Sequence, residues 1–187
     1  MKFEDICAQY HAKRAVEVAI AGQHSIIFVG AWQSQAADLD HLARSFSLSA
    51  KSTAPCPCGH YGDPLRECTC SLEQVARWQQ KHLCDPVDLY IELSIEQEHE
   101  ILAHLAGKRG ETQEAVLARI DKRTTHTDLT LDATSTSLLR AAINQLGLSF
   151  RQVYGIVAVA RTIANLARSE CIEAAHLAEA IQYRRRK

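Results

Sequence analysis

The sequence predicts an α/β fold: a reduced parallel sheet with flanking helices over residues 1–96, followed by an all-helical part over residues 97–187. Three observations carry this. Ser25-Ile26-Ile27-Phe28-Val29-Gly30 is a short unbroken apolar run rich in branched residues, the pattern of a strand buried on both faces and so of a parallel sheet covered by helices. Val87-Asp88-Leu89-Tyr90-Ile91-Glu92-Leu93 alternates apolar and polar residues, which is the period of a strand. Beyond residue 96 the apolar residues recur at helical spacing.

The elements follow in order. Residues 5–21 read as a helix, with Ala12, Ala15, Val16, Ala19 and Ile20 on one stripe and Gly22 as its stop. After the apolar strand, residues 34–46 return to helical spacing through Ala36, Leu39, Leu42, Ala43 and Phe46, and a weak strand is expected near 50–54. Ser71-Leu72-Glu73-Gln74 is a capping box, in which hydroxyl and amide side chains satisfy each other's free backbone N–H groups, so a helix should run to about residue 82. Amphipathic helices over 97–106 and 112–123 are separated by Gly107 and Gly110, and the Thr/Asp-rich stretch 124–134 reads as a linker. Helices over 135–146, 150–167 and 173–185 complete the chain. The middle one opens with a second capping box, Ser149-Phe150-Arg151-Gln152, and carries Val153, Ile156, Val157, Ala160 and Ala164 on one face.

With 187 residues, the chain suits one ordinary domain or two small ones. Twenty-one Lys and Arg against 22 Asp and Glu exclude a strongly basic nucleic-acid-binding chain and an acidic solvating tail, though not a local patch. No apolar run approaches the ~20 residues of a membrane span, and the first residues lack the apolar segment of a signal peptide. A soluble cytoplasmic protein without a membrane partner is expected. Arg184-Arg185-Arg186-Lys187 reads either as a grip on nucleic-acid phosphates or as a solvated helix end favoured by the macrodipole. The nine histidines show no His-Glu-x-x-His spacing, and no nucleophile-elbow sequence occurs.

Four of the seven cysteines crowd into fifteen residues. Cys56-Pro57-Cys58 and Cys68-Thr69-Cys70 lie on a loop, residues 55–70, turned by Pro55, Pro64, Gly59 and Gly62. In a reducing compartment such a group points to a metal rather than to disulfides. Four thiolates suit a closed tetrahedral structural zinc, whose bonds order a loop with little apolar surface of its own. His60 is an adjacent alternative ligand and Cys84 a remote spare; the competing reading is a set of reduced, inert thiols. A redox role is disfavoured because no Cys-x-x-Cys opens a helix.

Several segments resemble a known family. Asp5-Ile6-Cys7-Ala8-Gln9, Ala12-Lys13-Arg14-Ala15-Val16-Glu17-Val18-Ala19 and Gly22-Gln23-His24-Ser25-Ile26-Ile27-Phe28-Val29-Gly30 resemble the entry to the ATPase core of the ComM/YifB magnesium-chelatase-like AAA+ proteins. Pro55-Cys56-Pro57-Cys58-Gly59-His60-Tyr61-Gly62-Asp63-Pro64, with Cys68-Thr69-Cys70, resembles that family's cysteine loop. Arg161-Thr162-Ile163-Ala164-Asn165-Leu166 and the segment from His176 to Arg184 resemble its helical lid. The resemblance implies a truncated AAA+-like core followed by a helical linker and lid. It also implies ATP and magnesium as cofactors, ring assembly, and action on DNA.

The departures concern the chemistry. Where the family has a phosphate-binding loop of the form Gly-x-x-x-x-Gly-Lys-Ser/Thr, this chain reads Gly30-Ala31-Trp32-Gln33-Ser34-Gln35-Ala36-Ala37. Gly30 survives. Gln35 obstructs the close approach of backbone amides to phosphate, Ala36 cannot neutralise phosphate charge, and Ala37 has no hydroxyl for magnesium. By the same resemblance Ala54 stands at the sensor Asn and Pro86 at the Arg finger, while Arg151 fits the lid's nucleotide-sensing Arg. Gly30 and Arg151 are thus the residual nucleotide positions. The stretch from residue 30 to 53 is also too short for the family's central strands. The expectation is a non-hydrolysing, zinc-stabilised relative that acts through a protein partner or a homo-oligomer, with DNA processing as its setting. The alternative is an ATP-hydrolysing ComM/YifB-type protein working through Arg151 and an unconventional loop at residues 30–34.

Overall fold

The structure is a computed structural model describing residues 1–63, 66–83 and 86–184. Pro64, Cys84, Asp85 and residues 185–187 of the basic tail lie outside these. Strand β1 (Ile26–Val29) occupies the centre of a three-stranded parallel sheet between β2 (Ala50–Thr53) and β3 (Leu89–Glu92). Ile26 pairs with Ala50 on one side and Leu89 on the other, so all three segments expected as strands align in one register.

Alternation along β1 divides the core. Ile26 and Phe28 enter the main cluster with Leu39, Leu42, Leu89 and Ile91, whereas Ile27 and Val29 meet a small one made by Leu83, Val87 and Tyr90. Both faces of β1 are covered as expected, but very unequally.

Helix α1 (Tyr10–Gly22) begins five residues later than its apolar spacing suggests. Phe3–Asp5 form a 3-10 turn, and Ala8 and Gln9 both take positive φ (48° and 50°), which breaks the helical path. Once formed, α1 is buried nearly all round, including Lys13 and Glu17. Lys13 donates from Nζ to Ile6 O at 2.6 Å, and burial draws its pKa down. Helix α2 (Ala36–Ser45) lies against β1 and β2, and α3 (Leu72–His82) opens on the expected capping box, Ser71 N donating to Gln74 Oε1 at 2.8 Å.

The outer edge of β2 is partly closed. Ile26 N donates to Ser49 O and Gly30 N to Thr53 O, so the carbonyls of Ala50 and Ala54 point away from β1. The Arg44 guanidinium takes the first at 2.7 Å and the Trp78 indole the second at 2.8 Å.

The C-terminal helices are α4 (Glu98–Leu105), α5 (Gln113–Asp121), α6 (Ala133–Leu146), α7 (Phe150–Leu166) and α8 (Ala174–Gln182). Helix α4 buries none of its residues and exposes Ile101, Leu102 and Leu105. Residues 124–132 are strapped down rather than free: Thr124 N donates to Asn165 O, Asn165 Nδ2 to His126 O, and Leu131 bridges Ile172. Asp132 accepts from Ser135 N at 2.7 Å, which starts α6 two residues earlier than its apolar pattern does. Ser149 N donates to Gln152 Oε1 at 2.9 Å at the head of α7.

Ionic and backbone contacts join these helices to the sheet layer. The Glu17 carboxylate, 3% exposed, accepts from Arg14 at 2.9 Å and from Arg119, which also grips Glu111 through two bonds. Arg14 reaches Glu179 on α8, and Tyr183 Oη donates to the same carboxylate. Tyr90 N on β3 donates to Tyr183 O at 2.7 Å, while Arg184 Nη1 donates to Val87 O and Asp88 O. Among the described residues no helix is long and apolar enough to cross a membrane.

Two outcomes are expected. Glu17→Ala removes the buried carboxylate that Arg14 and Arg119 share, leaving each with one acidic partner, and should cost about 1–3 kcal/mol, read as a lower urea midpoint. His24, whose Nε2 lies 2.8 Å from Thr162 Oγ1, has its pKa lowered by burial, opposed in part by Asp88. Its folded pKa lies below the unfolded one, so stability should fall as pH drops through about 6.5. His24→Gln should flatten that slope in denaturation curves recorded from pH 5 to 8.

Candidate metal centre and the loop beside it

The cysteine loop leaves the end of β2 through Ala54 and re-enters regular structure at the N-cap of α3, so both ends are anchored. Inside it the backbone turns on Gly59 and Gly62, at φ of +85° and +80°, a region open to glycine at little cost. Gly59 N closes the first turn on Cys56 O at 3.0 Å, and Tyr61 N donates to Cys56 Sγ at 3.3 Å.

These turns bring four sulfurs together. Cys56 Sγ lies 3.4 Å from Cys58 and 3.8 Å from Cys68, with Cys58 and Cys68 at 3.6 Å, and all four including Cys70 fall within 4.8 Å of one another. A tetrahedron of thiolates around zinc, with metal–sulfur bonds near 2.3 Å, requires sulfur separations of about 3.8 Å. Cys56 is buried and the other three half-buried. The set therefore fits a tetrahedral, thiophilic cation and could hold one.

Its electrostatics ask for a cation. The Cys58 thiol is drawn down to about 5, first by the amide of His60, with help from that of Thr69 and from neighbouring thiols. Cys68 moves the other way. Although the Cys70 amide favours its thiolate, desolvation and the adjacent Cys58 and Cys56 sulfurs push it up to about 12, and Cys70 is raised for similar reasons. One thiolate forms readily and opposes the rest; a bound divalent ion removes that opposition. His60, the alternative ligand, stands outside the cluster with Nδ1 3.5 Å from Asp63 Oδ2.

The loop in the phosphate-loop register packs beside this centre. Gly30 N is spent on Thr53 O, and a Cβ on Gly30 would lie 2.3 Å from Ser34 Oγ, which itself donates to Ala31 O. Gln35 accepts from Cys7 N at 2.8 Å and donates to Cys7 O at 2.8 Å and to Glu96 Oε1 at 2.7 Å. Gln9 reaches the same Glu96 oxygen, so one carboxylate joins the N-terminal segment, this loop and the chain after β3. Ala36 is buried and Ala37 exposed. Trp32 lies over Gly59 and meets Trp78 edge-on, with ring centroids 6.4 Å apart.

Arg151 sits elsewhere. It is exposed at the head of α7, on an open groove of about 1150 Å³ whose walls include Tyr61, Leu83, Tyr90, Glu92 and Arg184. Gly30 is not among the lining residues. The structure thus assembles the four cysteines into one centre and does not bring the two residual nucleotide positions into one cavity. Sequence reading missed Gln35 as a clamp and Trp32 and Trp78 as a bracket; the two tryptophans, the chain's only ones, were a usable signal.

A three-stranded parallel sheet with flanking helices, an anchored cysteine loop and a helical C-terminal region define a reduced AAA+-type chain. Two family models match it. That of magnesium chelatase, subunit ChlI, covers residues 2–35 and 34–101, and that of its C-terminal region covers residues 94–184. The chain belongs to the magnesium chelatase ChlI family. No curated protein matches it.

Cys56→Ser combined with Cys58→Ser should abolish the thiolate-to-cobalt(II) absorption of a cobalt-loaded sample, whereas His60→Ala should retain it. Stripping the metal with a chelator should lower the melting temperature of the unmutated protein and of His60→Ala, and leave that of the double serine variant unchanged.

Proposed function

We propose that this chain is a non-hydrolysing, zinc-stabilised relative of the magnesium-chelatase-like AAA+ proteins, acting as an interaction module. It would work by joining a protein partner or further copies of itself, with DNA processing as the setting that the ComM/YifB resemblance suggests. Its zinc would be structural, held by Cys56, Cys58, Cys68 and Cys70, since four protein ligands leave no open position for water or substrate.

The observation that carries the reading is the state of Gln35. Phosphoryl transfer rests on positioning and on electrostatic stabilisation, supplied in this family type by free loop amides, a lysine and a metal-binding hydroxyl. At the corresponding positions Gln35 is committed to Cys7 and Glu96, and Ala36 is packed into the core. The charge bonded to Gln35 is the Glu96 carboxylate, which repels a triphosphate. The two stretches matched to one family model meet at residues 34–35, the point where the family's central strands would intervene. Arg151, on a separate groove that Arg184 also lines, offers a cation without the rest of the apparatus.

Calorimetric titration of the metal-loaded protein with ATP and magnesium should show no saturable binding in the micromolar range and no phosphate release. Micromolar binding with magnesium-dependent turnover would overturn the proposal. Elemental analysis should return one zinc per chain, and sedimentation with and without duplex DNA separates self-association from nucleic-acid binding.

A further inference from the structure

We propose that the metal centre and the former phosphate loop form one coupled unit, in which metal binding at Cys56, Cys58, Cys68 and Cys70 seats Gly59 beneath Trp32 and thereby fixes the conformation of residues 30–35. This rests on the metal reading given above and adds a second role to the centre: it shapes a neighbouring surface as well as its own loop.

The coupling is steric. Gly59 lies one residue beyond Cys58, and its amide closes a turn on the carbonyl of Cys56, so two metal ligands dictate its position. A Cβ at Gly59 would lie 2.2 Å from Trp32 Cδ1 and 2.6 Å from Nε1, which means that the indole rests directly on the glycine backbone. The other side of the bracket is equally tied to the centre. Trp78 meets Trp32 edge-on, its indole N–H is held by Ala54 O two residues before Cys56, and His82 stacks on it at 4.1 Å.

Trp32 is nevertheless 59% exposed, so little besides this bracket restrains it. From Trp32 the path to the rest of the molecule is short. Ser34 N and Oγ close back on Ala31 O, and Gln35 follows with its bonds to Cys7 and Glu96. In the metal-free protein four sulfurs lose the charge that holds them together, the turn at Gly59 opens, and Trp32 loses its seat. The core of β1 and α2 does not depend on this contact and persists.

Because the chain has two tryptophans, both in the bracket, fluorescence reads the coupling directly. In Trp78→Phe, Trp32 is the sole emitter. Metal removal should red-shift its emission, raise its quenching by acrylamide, and speed amide exchange of residues 31–35 by about two- to ten-fold, the factor expected for losing one aromatic contact; added zinc should reverse all three. Gly59→Ala, still retaining one metal ion by elemental analysis, should reproduce the metal-free values without metal loss. Metal bound and removed with no change at Trp32 or residues 31–35 would overturn the coupling while leaving the metal centre intact. A protein that takes up no metal would overturn both, and global unfolding on metal removal, seen as loss of far-ultraviolet circular dichroism, would overturn the claim that the response is local.

Discussion

The Gln35 side chain, held by both backbone groups of Cys7 and by Glu96, is the interaction around which the rest of this structure is arranged. It fixes the N-terminal segment against the loop that follows β1. That fixed point sets where α1 enters the core and keeps the loop closed. A glutamine can do this because one amide offers an acceptor and two donors in a plane, which matches a backbone N–H and C=O together with a carboxylate. The same geometry that stabilises the closed loop spends the groups a phosphate-binding turn would keep free.

Much of the architecture was legible in the sequence. The unbroken apolar run of β1 and the alternation of β3 announced their strands, and the capping boxes at Ser71 and Ser149 located helix starts because they encode specific local hydrogen bonds. The errors lie where tertiary contacts override local pattern. Apolar spacing extended α1 back to residue 5, but paired positive-φ residues at Ala8 and Gln9 redirect the chain to bring Cys7 to Gln35. The Thr/Asp-rich segment 124–134 has linker composition, yet Asn165 and Ile172 hold it, and those partners are about 40 residues away in sequence.

The candidate site divides in the same manner. Four cysteines in two Cys-x-Cys pairs are a local signal, and their sulfurs do converge. His60, adjacent in sequence, faces Asp63 and stays out of the cluster, since the turn at Gly59 sends its side chain in another direction. The losses at Gln35, Ala36 and Ala37 could be read as missing chemistry, but what Gln35 gained depended on Glu96, sixty-one residues later. Arg151 and Gly30 were grouped by the resemblance; Arg151 is exposed on the groove at the head of α7, whereas Gly30 is buried at the end of β1.

The partly closed edge of β2 has a further consequence. A sheet with few strands has a high ratio of rim to interior, and a bare rim invites stacking of chain upon chain into fibrils. With Arg44 and Trp78 occupying the carbonyls at its two ends, β2 leaves a stretch too short to recruit a foreign strand in register. On that side of the sheet, contact with another chain is left to side-chain surfaces instead of exposed main chain.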